Sequence, residues 1–396
     1  MATATKERKT KRRRGSGEGT IFQRTDGRWC AAIANGCDAS GKRRRRWIYR
    51  ATKGEVTEEL TRLQGRKLDG TLGDAGRLSV GKYLDQWLES SAKATVRATT
   101  YVSYKGVIEN HIKPRIGGLS LAKLAPAHVQ AMYATMEDNK KSARLRQLTH
   151  AVLRRSLNQA VKWNMVPRNV CNAVYPPRVA RKEIRPLTAE QVKLLLKAAA
   201  GDESKAVPAD PLEALYVLAV TTGLRLGELF GLQWADVDLT AGCLHVRYTL
   251  MEVNGKLSLS EPKTARSRRK VELPAFAVEA LRGHQRSALA AGGREFATEG
   301  HVFRNSRGGP LRRSHFHADS FKPLLKRAKL PAIRFHDLRH TAATLMLAGG
   351  EHPKVVQELL GHSQISVTMD TYSHVLPTMQ REAIDRLGKL LSASAG

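Results

Sequence analysis

The chain has 396 residues, with 67 lysines and arginines against 36 aspartates and glutamates, a formal net charge of +31 at pH 7 and a pI of about 10.4. That length predicts two or three domains, each large enough to bury a core, and excludes a single small scaffold. So large an excess of positive charge indicates a polyanionic partner, nucleic acid above all, and argues against an acidic protein as the substrate.

The first fifty residues carry 15 basic against 4 acidic side chains. Residues 1–16 have the composition of a flexible basic arm. Alternating β-formers between turn signals then predict three short strands, followed by a helix near Lys53–Arg66; the strands are Gly19–Arg24, Trp29–Ala34 and Arg45–Arg50. Such a sheet can lie against a DNA groove, although a solvated charge run on an ordinary sheet has the same pattern. The candidate DNA-binding residues are Arg24, Arg28, Lys42, Arg43, Arg44, Arg45 and Arg46.

The middle of the chain is typical of an all-helical domain. Leu68–Gly76 is glycine-rich and predicts a linker, and Ser79 is a candidate helix cap. Apolar residues at helical spacing predict four or five helices, among them Thr99–Ile112, Ala127–Met136 and Ser142–Trp163. Their many basic side chains predict contacts with a nucleic-acid backbone.

Pro176-Pro177 and the charged residues after it mark a second boundary. We therefore predict an N-terminal region 1–75, a helical domain 76–177 and a third domain 178–396. In the third domain Thr188 begins a capping-box pattern, and Asn254-Gly255 is typical of a hairpin turn. The predicted strands are Cys243–Leu250, Lys256–Leu259 and Arg269–Leu273; the predicted helices include Leu212–Thr222, Arg225–Leu232, Ala275–Ala290, Ser314–Lys329, Leu338–Ala348, Pro353–Leu360 and Thr378–Leu391.

No run approaches the ~18 apolar residues of a membrane-spanning helix, and the basic N-terminus is not followed by an apolar stretch. We therefore expect no signal peptide and no membrane anchor, and a cytoplasmic site of action. The four cysteines lack the Cys-x-x-Cys spacing of metal sites, which predicts reduced and mostly buried thiols; they are Cys30, Cys37, Cys171 and Cys243.

Five short segments carry the chemistry. They begin at Thr221 (Thr-Thr-Gly-Leu-Arg-Leu-Gly-Glu-Leu), Glu261 (Glu-Pro-Lys-Thr), His336 (His-Asp-Leu-Arg-His), Leu360 (Leu-Gly-His) and Thr371 (Thr-Tyr-Ser-His). Together they resemble the tyrosine recombinase, or phage integrase, family. Six positions of the family pattern are filled in order, by Arg225, Lys263, His336, Arg339, His362 and Tyr372.

The resemblance implies a mainly α fold with small β-sheets: a tyrosine recombinase catalytic domain, a helical core-binding domain and a three-stranded N-terminal arm-binding domain. It implies a recombinase that integrates and excises a mobile element in double-stranded DNA, needs neither metal nor cofactor, acts as a homotetramer and has a directionality partner. The predicted tail helix Thr378–Leu391 then docks either on a neighbouring protomer or on its own chain.

Cleavage of a phosphodiester through a covalent intermediate requires these residue types. The phenol of Tyr372 can become a covalent phosphoryl carrier, but a free phenol has a pKa of about 10 and must be activated. Two guanidiniums, Arg225 and Arg339, match the oxygens of a phosphate and stabilise charge that develops on phosphorus. His336 lies three residues before Arg339, on the same helical face, and can accept the phenolic proton.

In the family the lysine corresponding to Lys263 protonates the departing 5′ oxygen, and the product is a 3′-phosphotyrosine. His362 is expected to donate a hydrogen bond to the same phosphate. We expect Glu228, one helical turn after Arg225, to orient a catalytic cation, although an exposed ion pair fits its position equally well.

Other readings of the same residues are possible. His336 and His340 have the spacing of a zinc-protease helix, but the acid between them is Asp337 rather than glutamate, and Arg339 beside the metal would repel it. A DNA-binding regulator without catalysis explains the charge but not the six-residue pattern. Type IB topoisomerases share the phosphotyrosine chemistry, and the preceding DNA-binding domains favour recombination over that activity.

Overall fold

The computed structural model describes residues 20–37, 43–68, 78–179, 185–202, 204, 206–261, 268–361, 364–366, 369, 384–385 and 391. The chain forms two compact units, Met1–Arg181 and Lys182–Gly396. The predicted division at residue 75 lies outside the described residues, and three domains therefore remain a prediction.

The first unit begins with a three-stranded antiparallel sheet of order β1-β2-β3 and a helix; they are β1 Thr20–Gln23, β2 Trp29–Cys37, β3 Arg43–Arg50 and α1 Lys53–Leu68. Side chains alternate between the faces of a strand, and here one face carries the apolar residues Ala31, Ile33 and Ile48, which pack with α1 in a small core. The three predicted strands and the helix are confirmed.

The rest of the first unit is helical, with a separate hydrophobic core. Ser79 caps its first helix by accepting a hydrogen bond from the Lys82 amide at 3.3 Å, as its sequence position predicts. Two π-helical turns, Leu88–Ala92 and Ile108–Ile112, interrupt the helices. The helices are α2 Val80–Trp87, α3 Lys93–Thr95, α4 Ala98–Val107, α5 Lys113–Ile116, α6 Pro126–Asp138 and α7 Ala143–Lys162.

The second unit is built around a helix that is apolar on every side, Glu213–Thr222, which packs against the helices that surround it. The helices are α8 Ala189–Ala200, α9 Glu213–Thr222, α10 Leu226–Phe230, α11 Ala275–Thr298, α12 Arg313–His315, α13 Lys322–Arg327, α14 Phe335–Ala348 and α15 Pro353–Leu360. The capping box at Thr188 is present, because its hydroxyl and the Gln191 side chain each accept the other residue's amide hydrogen.

The strands of the second unit form two small sheets, one of order β4-β5-β8 and one hairpin β6-β7. They are β4 Val237–Asp238, β5 Cys243–Val246, β6 Thr249–Val253, β7 Lys256–Ser260 and β8 Arg269–Glu272. The hairpin turn at Asn254-Gly255 is confirmed, with φ of 50° and 75°. The prediction of one continuous strand over Cys243–Leu250 is wrong, since its first half pairs with β8 and its second half with β7.

Two further expectations concern cysteines and membranes. Cys30, Cys171 and Cys243 are buried free thiols, as predicted, whereas the side chain of Cys37 is outside the described set. Among the residues that the structure describes, no helix has both the length and the apolar character needed to cross a membrane. The predicted tail helix Thr378–Leu391 lies almost entirely outside the described residues.

Candidate active site

A tight turn places the first predicted catalytic arginine. Helix α9 ends at Gly223, whose φ of +62° is in the left-handed region that favours glycine. A Cβ atom at this position would lie 2.6 Å from Cδ2 of Leu360, so the turn also depends on glycine for close packing. The chain then extends through Arg225, which is the N-cap residue of the short helix α10.

Glu228 holds Arg225 by both its backbone and its side chain. One carboxylate oxygen accepts the Arg225 amide hydrogen at 3.1 Å, and the other accepts from the guanidinium Nη1 at 2.7 Å. Glu228 is buried, whereas the Arg225 side chain keeps 38% of its surface exposed. Burial by itself raises the pKa of the Glu228 carboxyl, but the charges of Arg269 and Arg225 outweigh it and the pKa is lowered.

Glu228 therefore contacts Arg225 as expected, and its role in orienting a catalytic cation stays a prediction. The arrangement does not agree with the alternative of an exposed ion pair, since the side chain of Glu228 is only 2% exposed.

Arg339 is the second predicted arginine, and it is 3% exposed. Its Nη1 donates to the backbone oxygen of Gly223 at 2.8 Å and its Nη2 to that of Leu360 at 2.7 Å. The planar fork therefore bridges the turn before Arg225 and the end of α15. Helix α14 starts at Phe335, three residues before the predicted start, because Arg334 and Asp337 form a cap one turn earlier.

His336 lies in the first turn of α14, beside the two arginines. Its side chain is exposed at the surface, yet desolvation by neighbouring atoms and then the charges of His340, Arg339 and Arg225 lower the pKa of its imidazole to about 4. Its ring contacts that of His340 edge to face, with centroids 5.0 Å apart. The described residues contain no group of three or more histidine, cysteine or acidic side chains placed to hold a metal ion.

Because the pKa of His336 is lowered rather than raised, its imidazole stays neutral, and able to accept a proton, well below pH 6.5. We expect kcat/KM for DNA cleavage to show no loss due to this residue between pH 7 and 5. The measurement is the pH profile of wild type and His336→Gln, with His315→Gln, an exposed histidine of the same unit, as the control. An acidic limb with a midpoint between pH 6 and 7 that disappears only in His336→Gln would contradict the lowered pKa, while it would leave His336 in place as the proton acceptor.

The remaining predicted catalytic residues, Lys263, His362 and Tyr372, lie outside the described residues. Described neighbours flank two of them. Glu261, at the end of the hairpin, is exposed, and Gly361, immediately before His362, has a φ of +65°. The described part of the site therefore consists of Arg225, His336, Arg339 and Glu228, and the catalytic roles of all six predicted residues stay predictions.

Arg269 is a member of this site that sequence reasoning missed. Its Nη2 lies 3.1 Å from Glu228 Oε2, and its Nε donates to the backbone oxygen of Leu359 at 2.6 Å. The signal was present in the sequence, because Arg269 lies two residues before the buried Val271 and so on the same face of β8, while Lys270 and Glu272 lie on the opposite, exposed face. An arginine on the inward face of a strand must find a buried partner.

The predicted DNA-binding residues of the N-terminal sheet do not share one face. Arg24 lies over the ring of Tyr49, at 5.5 Å from its centroid, so it belongs to the face that exposes aromatic rings. Alternation places Arg45 on that face and Arg46 on the face of α1, although both side chains are exposed. Arg28 is an exposed residue at the turn into β2. Lys42 and the side chains of Arg43 and Arg44 lie outside the described set.

Sequence reasoning also missed the exposed aromatic rings on this sheet. Phe22, Trp47 and Tyr49 are each more than 40% exposed, and the rings of Phe22 and Trp47 meet edge to face. Their signal is the period of two along each strand, which leaves a large apolar ring on the face opposite to the core.

Two family models match separate parts of the chain. The phage integrase family matches residues 185–379, and the N-terminal SAM-like domain of phage integrases matches residues 79–136. A tyrosine recombinase XerC-like protein of Caldanaerobacter subterraneus subsp. tengcongensis is 30% identical over 380 residues, which cover 90% of this chain and 95% of that protein.

Solved structures show the same fold. The Tn1549 transposon integrase in complex with a circular intermediate DNA superimposes with a TM-score of 0.65 at 20% identity, over 78% of this chain and 99% of that one. A lambda integrase tetramer bound to a Holliday junction gives a TM-score of 0.55 at 19% identity, over 87% of this chain and 95% of that one. With the near-full-length relative and the two matched domains, these likenesses establish that the chain belongs to the phage integrase family of tyrosine recombinases, the site-specific DNA recombinases.

Proposed function

We propose that this recombinase cuts DNA with Tyr372, forming a 3′-phosphotyrosine and a free 5′ hydroxyl. The observation that carries the proposal is the grouping of Arg225, Arg339 and His336. Buried hydrogen bonds hold the two guanidiniums in place, and both influence the imidazole. Fixed cations beside a neutral base are what attack by a phenol on a phosphodiester requires, since charge develops on phosphorus while a proton leaves the nucleophile.

Four side chains take part in the step. The phenolic oxygen of Tyr372 bonds to phosphorus, its proton passes to His336, and the bond from phosphorus to the 5′ oxygen breaks. Lys263 protonates that oxygen, and His362 donates a hydrogen bond to the phosphate. The phosphodiester energy is kept in the phosphotyrosine, so rejoining needs neither ATP nor a metal ion.

Assembly and context belong to the same proposal. The lambda integrase structure on a Holliday junction contains a tetramer. By analogy, four copies of this chain would bring two DNA sites together and cleave two strands at a time. We assign it to the integration of a mobile element in the cytoplasm of a bacterial host, with a directionality partner for excision.

The test is recombination between two DNA fragments that carry the ends of the element, in excess EDTA and without ATP. We expect recombinant junctions that sequencing places at one defined site. Relaxation of supercoiled DNA without such junctions would favour a topoisomerase-like activity and overturn the proposal. Loss of activity in EDTA, restored by zinc, would indicate metal chemistry instead.

The N-terminal sheet is proposed to bind separate arm sites. Its outer face combines exposed aromatic rings with the guanidiniums of Arg24 and Arg45, so it offers both apolar surface and positive charge. Phosphate contacts supply the affinity, and side chains in a groove supply the specificity.

Deletion of residues 1–66 should therefore abolish protection of arm sites while cleavage at the core site continues. DNase footprinting and cleavage of a core-site duplex measure the two effects separately. The control is the full-length chain with Glu58→Gln, a change on the exposed surface of α1. An unchanged arm footprint after the deletion would show that this region is not the arm-binding domain.

A further inference from the structure

We infer that Arg269 is a positioning residue that joins the turn carrying Arg225 to the end of α15, and thereby fixes where the segment carrying His362 begins. The inference rests on the proposed roles of Arg225 and His362. It concerns a residue of β8 that contributes no group to the phosphate in the mechanism above.

The contacts form one continuous chain. Arg225 donates to one oxygen of Glu228 at 2.7 Å, and Arg269 donates to the other oxygen at 3.1 Å. The Nε of Arg269 then donates to the backbone oxygen of Leu359 at 2.6 Å. A movement at the end of α15 is therefore transmitted through two guanidiniums and one buried carboxylate to the catalytic turn.

Arg339 bridges the same two segments by a second path. It donates to Gly223 on one side and to Leu360 on the other, so the oxygens of two consecutive residues at the end of α15 each receive a guanidinium. Carbonyl groups in the last turn of a helix lack partners within the helix and carry its negative end, which favours cations there. The two bridges, one through Arg269 and one through Arg339, restrict both the rotation of the end of α15 and its distance from the turn that carries Arg225.

Gly361 supplies the second observation. A Cβ atom on this residue would lie 3.0 Å from Nη1 and 3.2 Å from Cζ of Arg269, so the guanidinium packs directly against the residue before His362. The left-handed backbone of Gly361 turns the chain away from α15 at this contact. Arg269 therefore packs against Gly361, the residue before His362, and also binds the end of α15 through the oxygen of Leu359.

A role in stability alone does not explain this design. An apolar replacement of a buried ion pair often leaves a protein as stable as before, so such a pair is weak evidence for stability. A lysine retains the charge but cannot reach a carboxylate and a carbonyl with one planar fork. The contacts at position 269 therefore depend on the planar shape of the guanidinium rather than on its charge alone.

The experiment compares Arg269→Lys with wild type in single-turnover formation of the covalent adduct, at saturating protein on a core-site duplex. We expect a ~10- to 100-fold slower rate, as for a catalytic group displaced by about 1 Å, with core-site affinity close to wild type and a lowered Tm, because lysine leaves one buried partner of the fork without a donor. The matched control is Arg286→Lys, because Arg286 is an exposed arginine also 3.1 Å from a glutamate, Glu279. It should cleave at the wild-type rate.

A double-mutant cycle with His362→Ala separates positioning from a general structural effect. If Arg269 acts by placing His362, the double variant cleaves about as slowly as the slower single variant. Rates that multiply, or an Arg269→Lys rate equal to wild type, would overturn the inference. If Arg269→Lys does not fold, Arg269→Gln takes its place in the same cycle.

Failure of the proposed function is recognised separately. In that case His362→Ala itself cleaves normally, or the wild-type chain forms no adduct. The inference about Arg269 fails alone when His362→Ala is slow and Arg269→Lys is not.

Discussion

Tyr372→Phe should bind its DNA site with unchanged affinity and form no covalent adduct. Phenylalanine keeps the ring but lacks the oxygen that bonds to phosphorus, so the first chemical step is lost completely rather than slowed. The phenol contributes one neutral hydroxyl to binding, whereas affinity comes mainly from contacts between cations and the phosphate backbone. Denaturing gel electrophoresis of a labelled core-site duplex measures the adduct, and a mobility-shift titration measures binding.

Tyr175→Phe is the matched control for this experiment. Tyr175 is 93% exposed and lies in the first unit, so its variant should form the adduct as wild type does. A gel-stable adduct from Tyr372→Phe would assign the nucleophile to another residue. It would leave the membership of the family intact but overturn the proposed mechanism.

Arg225→Lys and Arg339→Lys should both lower the rate of cleavage by a factor of ~10²–10³, because each removes a fixed donor from the phosphate of the transition state. They should differ in stability. Arg225 is partly exposed, and Glu228 keeps Arg269 as a partner, so loss of the fork at this position leaves the fold close to wild type.

Arg339 is buried, and its fork satisfies the carbonyl groups of Gly223 and Leu360. A lysine cannot reach both, and a buried polar group without a partner costs roughly 1–3 kcal/mol. Of these two variants, only Arg339→Lys is therefore expected to have a lowered Tm. Thermal unfolding together with single-turnover cleavage tests the pair. Equal Tm values for the two variants, or cleavage at the wild-type rate by either, would contradict the geometry.

Local patterns in the sequence predicted many elements of the fold. The caps at Ser79 and Thr188, the turn at Asn254-Gly255 and the N-terminal sheet follow from residues a few positions apart, and all are confirmed. The family was identified from six residues that match its pattern in order, and the chemistry of phosphoryl transfer explains the residue types but not their order along the chain. The catalytic roles of all six residues stay predictions.

The sequence by itself determined which residue types the chemistry needs and which segments form helices and strands. Only the tertiary structure decided which partners hold those residues. Arg339 meets an oxygen 116 positions away, and Arg269 meets one 90 positions away. Such contacts depend on how α9, α14, α15 and β8 pack, and a backbone oxygen carries no signature in the residue type. A sequence motif therefore identifies Arg225 as a candidate, whereas only the packing of β8 shows that Arg269 holds both Glu228 and the end of α15.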